Sequence, residues 1–143
     1  MRVYAAGRGV TNLPTAARGP SVYAIAGRPI YILEVGVFNT TTTAFAAALG
    51  RATAAGTTAG AVTEQAEDSE YTPVATAFTS HSADATIAGL YAQASIGAAI
   101  GAGVIWTFGG KGLRIPAGTA NGAVITCPTG TGQFFDFHFV WEE

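Results

Sequence analysis

Apolar and polar positions alternate along much of this 143-residue chain, most sharply near its end. Over residues 134–142, Phe135, Phe137, Phe139 and Trp141 share one face of an extended chain. Asp136, His138, Val140 and Glu142 share the other. A period of two predicts a strand with one buried side. Residues 29–39 are rich in β-branched and aromatic side chains and predict a second strand. Tyr31, Leu33, Val35 and Val37 fall on its odd positions, and Ile30, Ile32, Glu34, Gly36 and Phe38 on its even ones. Both sets are mostly apolar, so a central strand is expected. Residues 40–43 read as a polar turn. In 44–55 the alanines favour helix, but Phe45, Ala47, Leu49 and Arg51 alternate and Gly50 weakens a helix, so strand is preferred. The acidic stretch 64–70 reads as an exposed loop and 73–79 as a short strand, while in 91–100 helix competes with strand.

The last third is punctuated by glycine. Residues 104–108 and 113–116 read as a hairpin about Gly109-Gly110-Lys111-Gly112. Asn121-Gly122 precedes a strand over 123–127, and Gly130-Thr131-Gly132 forms the turn before the last strand. About eight to ten short strands at this spacing predict an all-β fold, an antiparallel, jelly-roll-like β-sandwich. Residues 1–28 form an Arg-bearing N-terminal arm with the first strands, and 29–143 the sandwich domain. The absence of a long internal repeat argues against solenoids and propellers.

Charge changes the picture more than hydropathy does. Asp, Glu, Lys and Arg make up 11% of the chain, against roughly 25% in ordinary domains. A surface so poor in charge is expected to be covered by other copies or other proteins. The 29 alanines add little burial each, so a monomer's core would be thin. Arg2, Arg8, Arg18 and Arg28 stand in the first 33 residues without an acid, and arginine suits bidentate interface contacts. The net charge of −2 argues against a nucleic-acid binder working by bulk electrostatics. The single Cys127 excludes an intrachain disulfide and lies in an apolar run, as an inert buried thiol would. The opening Met-Arg-Val-Tyr lacks the pattern of a secretory signal, so assembly in a cytosol is expected.

No motif carries catalysis, and no cofactor or metal is expected. Gly109-Gly110-Lys111-Gly112 lacks the Gly and Ser/Thr of a phosphate loop. Asp136 and His138 point the same way along a strand, as metal ligands could, but a polar face or subunit contact explains them better. Ser80-His81-Ser82 offers a hydroxyl and a base without a nucleophile elbow. Glu34 is expected to pair with an arginine such as Arg51 or Arg114. Asn39-Thr40-Thr41 matches a glycosylation sequon and reads as a turn. Residues 85–110 are uncharged and contain a GxxxG spacing, Gly97 to Gly101, long enough to cross a bilayer. Their many alanines and glycines supply little insertion energy, which favours buried strand plus loop over a membrane segment.

The ordered segments Tyr31-Ile-Leu-Glu-Val-Gly-Val-Phe-Asn39, Ala48-Leu-Gly-Arg51, Ile100-Gly-Ala-Gly-Val-Ile-Trp-Thr-Phe108, Gly112-Leu-Arg-Ile-Pro-Ala-Gly118 and Val140-Trp-Glu-Glu143 resemble small virion proteins of tailed bacteriophages. That resemblance implies a β-sandwich that decorates the capsid or forms a small oligomeric knob. It implies a viral structural protein, a capsid decoration or cement protein on the phage head, assembled in the host cytoplasm. Expected partners are copies of itself, with a trimer preferred, and the major capsid protein or another virion protein. The expected contacts are Arg2, Arg8, Arg18, Arg28, Trp106, Asp136, His138 and Trp141. Two other readings stay open: a tail or head knob binding a host receptor or glycan, and a membrane-active protein acting through 85–110.

Overall fold

The computed structural model describes residues 3–10 and 17–143, with residues 8–10 described by backbone alone. The described residues form strands and turns without a helix. One sheet contains β1 (Val3–Val10), β3 (Ile30–Asn39), β6 (Gln65–Ala66), β9 (Gly103–Thr107), β10 (Leu113–Ile115) and β12 (Phe135–Glu142). Its order is β10-β3-β12-β1-β6, with β9 also beside β3. The second contains β2 (Ser21–Tyr23), β4 (Phe45–Ala54), β5 (Thr57–Val62), β7 (Thr76–Ala83), β8 (Thr86–Ile96) and β11 (Gly122–Thr126), in the order β5-β7-β2-β11-β4-β8. Every ladder is antiparallel, and the two sheets make the expected β-sandwich. Of the Arg-bearing segment 1–28, Val3–Val10 lies inside the first sheet and Ser21–Tyr23 inside the second.

The alternation of β12 survives intact: Phe135, Phe137, Phe139 and Trp141 are buried and Asp136 is exposed. Its neighbour β3 departs from simple alternation. Val140 pairs with Glu34, but Trp141 pairs with Ile32, so Leu33 is one extra residue, a β-bulge. The bulge reverses the phase of β3. Ile30 and Ile32 point inward before it, Val35 and Val37 after it, and all four are fully buried. Both halves of the strand therefore feed one core, which is why both sequence faces looked apolar.

The same irregularity corrects the expected hairpin. β9 and β10 do not pair with each other; both pair with β3 on one edge, Thr107 opposite Glu34 and Leu113 opposite Ile32. The Phe108 N–H donates to the Leu33 carbonyl at 3.0 Å. The chain thus runs as one interrupted edge strand, with residues 109–112 looped out beside the bulge. Gly109 and Gly112, at φ 54° and 67°, take the left-handed conformations that close this loop.

The core sets large against small. The first sheet supplies the β12 aromatics with Tyr4 stacked on Trp141 at 6.1 Å between ring centroids. The second supplies Ala47, Ala77 and Ala123 beside Leu49, Ile125 and Phe45. Many alanines are thus the small partners of bulky rings rather than a sign of a thin core. Cys127 is buried as expected, its thiol donating to the Thr129 carbonyl.

The acidic stretch is less loose than its charge suggested. Gln65 pairs with Ala5, and the Glu64 carboxylate accepts the Ala77 N–H at 2.7 Å. The Glu143 carboxylate accepts N–H groups from Val74 and Ala75 and from the Trp141 indole, fastening residues 74–75 to the end of β12. The short strand expected at 73–79 forms instead as β7, beginning at Thr76.

Because Phe139 is fully buried on β12, Phe139→Ala should cost about 3–5 kcal/mol of stability. Asp136→Ala should stay within about 0.5 kcal/mol. Urea unfolding midpoints of the two variants test this; similar shifts would contradict the assigned faces.

Candidate interaction surface

The outer face of the first sheet is built from alternate residues of β9, β3, β12 and β1. Gly103, Ile105 and Thr107 lie on β9 and are exposed. Glu34, Gly36 and Phe38 follow on β3, then Asp136, His138 and Val140 on β12, and Ala5 and Gly7 on β1. Three glycines keep this face low. A Cβ at Gly36 would collide with the His138 ring, which therefore rests over the glycine backbone. The ring stacks on Phe38 at 6.1 Å between centroids. His138 Nε2 meets Glu34 Oε1 at 2.7 Å. At the far side, an open groove of about 270 Å³ lies between β1 and β6, lined by Val3, Ala5, Ala66 and Val140 among others.

Glu34 thus pairs with His138 and not with an arginine. The bulge at Leu33 places Glu34 on this outer face, whereas Arg51 belongs to the second sheet and Arg114 stands opposite Tyr31, nearer the start of β3.

One end of the sandwich is organised by Asn39, which is 1% exposed. Its amide donates to the carbonyls of Thr43 at 2.8 Å and Gly97 at 2.9 Å. Its side-chain oxygen accepts from the Thr41 N–H and hydroxyl. The Gly101 N–H donates to its backbone carbonyl at 2.7 Å. These bonds tie residues 40–44, which cross from the first sheet to the second, to 97–102, which cross back. The asparagine of Asn39-Thr40-Thr41, which matched a sequon but read as a turn, is engaged in the interior at the start of that turn. Beside it, Phe134 and Ile100 are 50% and 72% exposed, and Gln133 meets the Thr41 hydroxyl at 3.2 Å.

A second small core lies on the outer side of the second sheet, where Tyr23 and Val124 pack with Ala52 and Ala85. His81 borders it, buried in β7. Its Nδ1 lies 2.6 Å from the Ala55 carbonyl, which can only accept, so Nδ1 carries the proton. Nε2, 2.9 Å from the Ser21 hydroxyl, then accepts from Ser21 in the neutral ring. Hydroxyl, imidazole and carbonyl are ordered as nucleophile, base and orienting group would be. Ser21 has no exposed surface, however, and the arrangement joins β2, β7 and the turn after β4. Its partner is Ser21, neither of the serines adjacent to His81 in sequence. Burial holds the His81 imidazole below its ordinary value, partly offset by the Ala55 carbonyl and by Asp84, itself paired with Arg18. Burial likewise raises the Tyr23 phenol, which has no hydrogen-bond partner at bonding distance among the described residues; the nearby Ser21 hydroxyl works against that rise.

The structure brings together only part of the expected contact set. Asp136 and His138 share the outer face of the first sheet. Trp141 is fully buried in the core and is corrected from contact to core residue. Trp106 packs inward from β9, half-buried against the same core. Arg18 bonds Asp84, and Arg28 is exposed at the turn where Ile25 bridges it. Arg2 and the Arg8 side chain lie outside the described residues. Sequence reasoning missed the Asn39 hub, the glycine bed under His138, and Ile105, Phe134 and Ile100 as exposed apolar groups. The clue for Asn39 was an amide ending an apolar strand just before a polar turn. Among the described residues no group of three or more His, Cys, Asp or Glu could hold a metal ion, and no helix is long and apolar enough to cross a membrane. The uncharged 85–110 stretch is β8, a turn and β9, the strands being half-exposed edges rather than buried ones.

Comparison of the chain with protein-family models, with curated proteins and with solved structures finds no match.

Asn39→Ala should lower stability by about 2 kcal/mol or more, because it strands buried donors and acceptors in two crossovers; thermal unfolding reads this. Acid should weaken the fold through His81. The unfolded chain protonates first, near pH 6.5, so the contribution is complete above that pH and is lost as pH falls toward the depressed folded-state value. Urea titrations across a pH series should show a shallower acid loss for His81→Asn than for the parent chain. Identical slopes would assign the loss elsewhere.

Proposed function

We propose that this chain is a non-catalytic structural protein of a virion, a capsid decoration or cement protein that binds a phage head as a homo-oligomer. The observation that carries this reading is the outer face of the first sheet. Glu34 and His138 are paired with each other there, Asp136 is a further exposed acid, and between them lie glycine, alanine and aliphatic positions with an exposed Ile105. Such a low surface, with small residues around a few polar groups, suits close packing on a larger shell. The resemblance in the segments from Tyr31 to Glu143 points the same way.

A second reading has its own support. Phe134 stands exposed beside Gln133 and Thr41 at the end held by Asn39, the kind of aromatic-plus-polar setting a knob would offer to a host receptor or glycan.

Negative-stain images of source particles, labelled with an antibody to the chain, decide between them. Label over the head is expected; label on the tail favours the knob, and particles without label overturn both. Ile105→Lys with Ala5→Lys should weaken attachment to heads at least about tenfold while leaving unfolding midpoints nearly unchanged, because both positions are exposed.

A further inference from the structure

The second sheet ends on β8, and among the described residues no strand pairs with its outer edge. An open edge presents unpaired N–H and C=O groups to any other strand, so proteins ordinarily blunt it. The other three sheet edges are blunted here. The β9–β10 edge is broken by the loop at 109–112, which holds Lys111, and carries Arg114. β6 is two residues long and runs into the acidic residues Glu67, Asp68 and Glu70, and the part of β1 that it leaves uncovered, Ala6–Val10, holds Arg8 between two glycines. β5 is turned by Gly60, at φ 66°, and by a register shift beside Thr57.

β8 is different. Its first half is irregular, with Ala88 and Tyr91 left extra against β4, but residues 92–96 pair with 45–49 without interruption. That half, Ala92-Gln93-Ala94-Ser95-Ile96, contains no charge, proline or glycine. Gln93 and Ser95 are exposed on the side away from the core, while Ala94 and Ile96 face it. Leu90 and Ile100, two of the large exposed apolar side chains, flank the segment.

We propose that β8 pairs antiparallel with the β8 of a second copy across a two-fold axis at Ala94, joining two six-stranded sheets into one. On this register Ala94 faces its counterpart, Gln93 faces Ser95 of the second copy, and Ala92 faces Ile96. The segment is self-complementary in this sense: the Gln93 amide and the Ser95 hydroxyl can hydrogen-bond across the axis, and no like charges meet. That match selects a second copy over a foreign strand. The inference draws on the assembly reading above only for the expectation that copies meet. It also replaces the preference for a trimer with an even-numbered assembly.

The test uses two double variants of the full chain, Gln93→Lys with Ser95→Lys, and Gln93→Glu with Ser95→Glu. Both positions are exposed, and circular dichroism checks that each variant is folded. Light scattering and sedimentation of the parent chain should give twice the chain mass or an even multiple of it. Each variant alone should dissociate, with a dissociation constant raised at least about tenfold by like charges across the axis. An equal mixture of the two should reassociate. A monomeric or trimeric parent chain, unaltered masses in the variants, or failure of the mixture to reassociate would each overturn the pairing. Antibody label on heads together with a monomeric parent chain would overturn the pairing and leave the virion reading standing. Particles without label and a dissociable dimer would do the reverse.

Discussion

Where β3 passes between β12 and β9, it gains one residue over β12, and the consequences of Leu33 spread through the first sheet. A strand of period two can serve one core only with a single phase of side chains. By inserting one residue, β3 turns Ile30 and Ile32 to the same side as Val35 and Val37. All four then meet the β12 aromatics and the small residues of the second sheet. The bulge also releases Glu34 to the outer face, where it finds His138, and sets the point at which the opposite edge loops out at 109–112. Core, surface pair and edge geometry all trace to that one residue.

With few charged side chains available, the protein uses several of its polar and ionisable groups as ties between segments distant in sequence. Asn39 links the two crossovers at one end, His81 links β2 and β7 to the turn after β4, and Glu143 fastens residues 74–75 to β12. Each accepts or donates several hydrogen bonds where backbone groups would otherwise lack partners, and a buried unpaired group costs more than a bond returns. Engaging polar groups in this way adds to the low charge of the outside. The scarcity of charge and the internal polar ties are two sides of one arrangement.

The surfaces that remain follow from the same arrangement. The first sheet's outer face is lowered by Gly7, Gly36 and Gly103, so that rings and backbone rather than long side chains meet whatever packs there. Among the described residues the outer edge of β8 is open in its regular half, while the other edges are interrupted or carry charge. The two contacts proposed for this chain, one to a larger surface and one between copies, rest on a face and an edge of different character.

Much of the fold was legible in the residues. The period of two over 134–142 defined β12 and its buried face, because aromatic burial against a sheet tolerates only one phase. The alternation through 44–55 outweighed alanine's preference for helix, and Asn121-Gly122 and Gly130-Thr131-Gly132 marked turns by their conformational freedom. Of the candidate site, the sequence gathered Asp136 and His138 onto one strand face. It could not supply their neighbours, since Glu34, Phe38 and Ile105 reach that face through strand order and a bulge. Nor could it tell that 103–115 is one interrupted edge rather than a hairpin, or that His81 answers to Ser21, sixty residues away. The sequence by itself determined which stretches extend and which side of β12 is greasy, because those depend on nearest neighbours along the chain. Only the tertiary structure decided which strands adjoin, where one residue shifts the register and which edge stays open, because those depend on pairing between segments with no local signature.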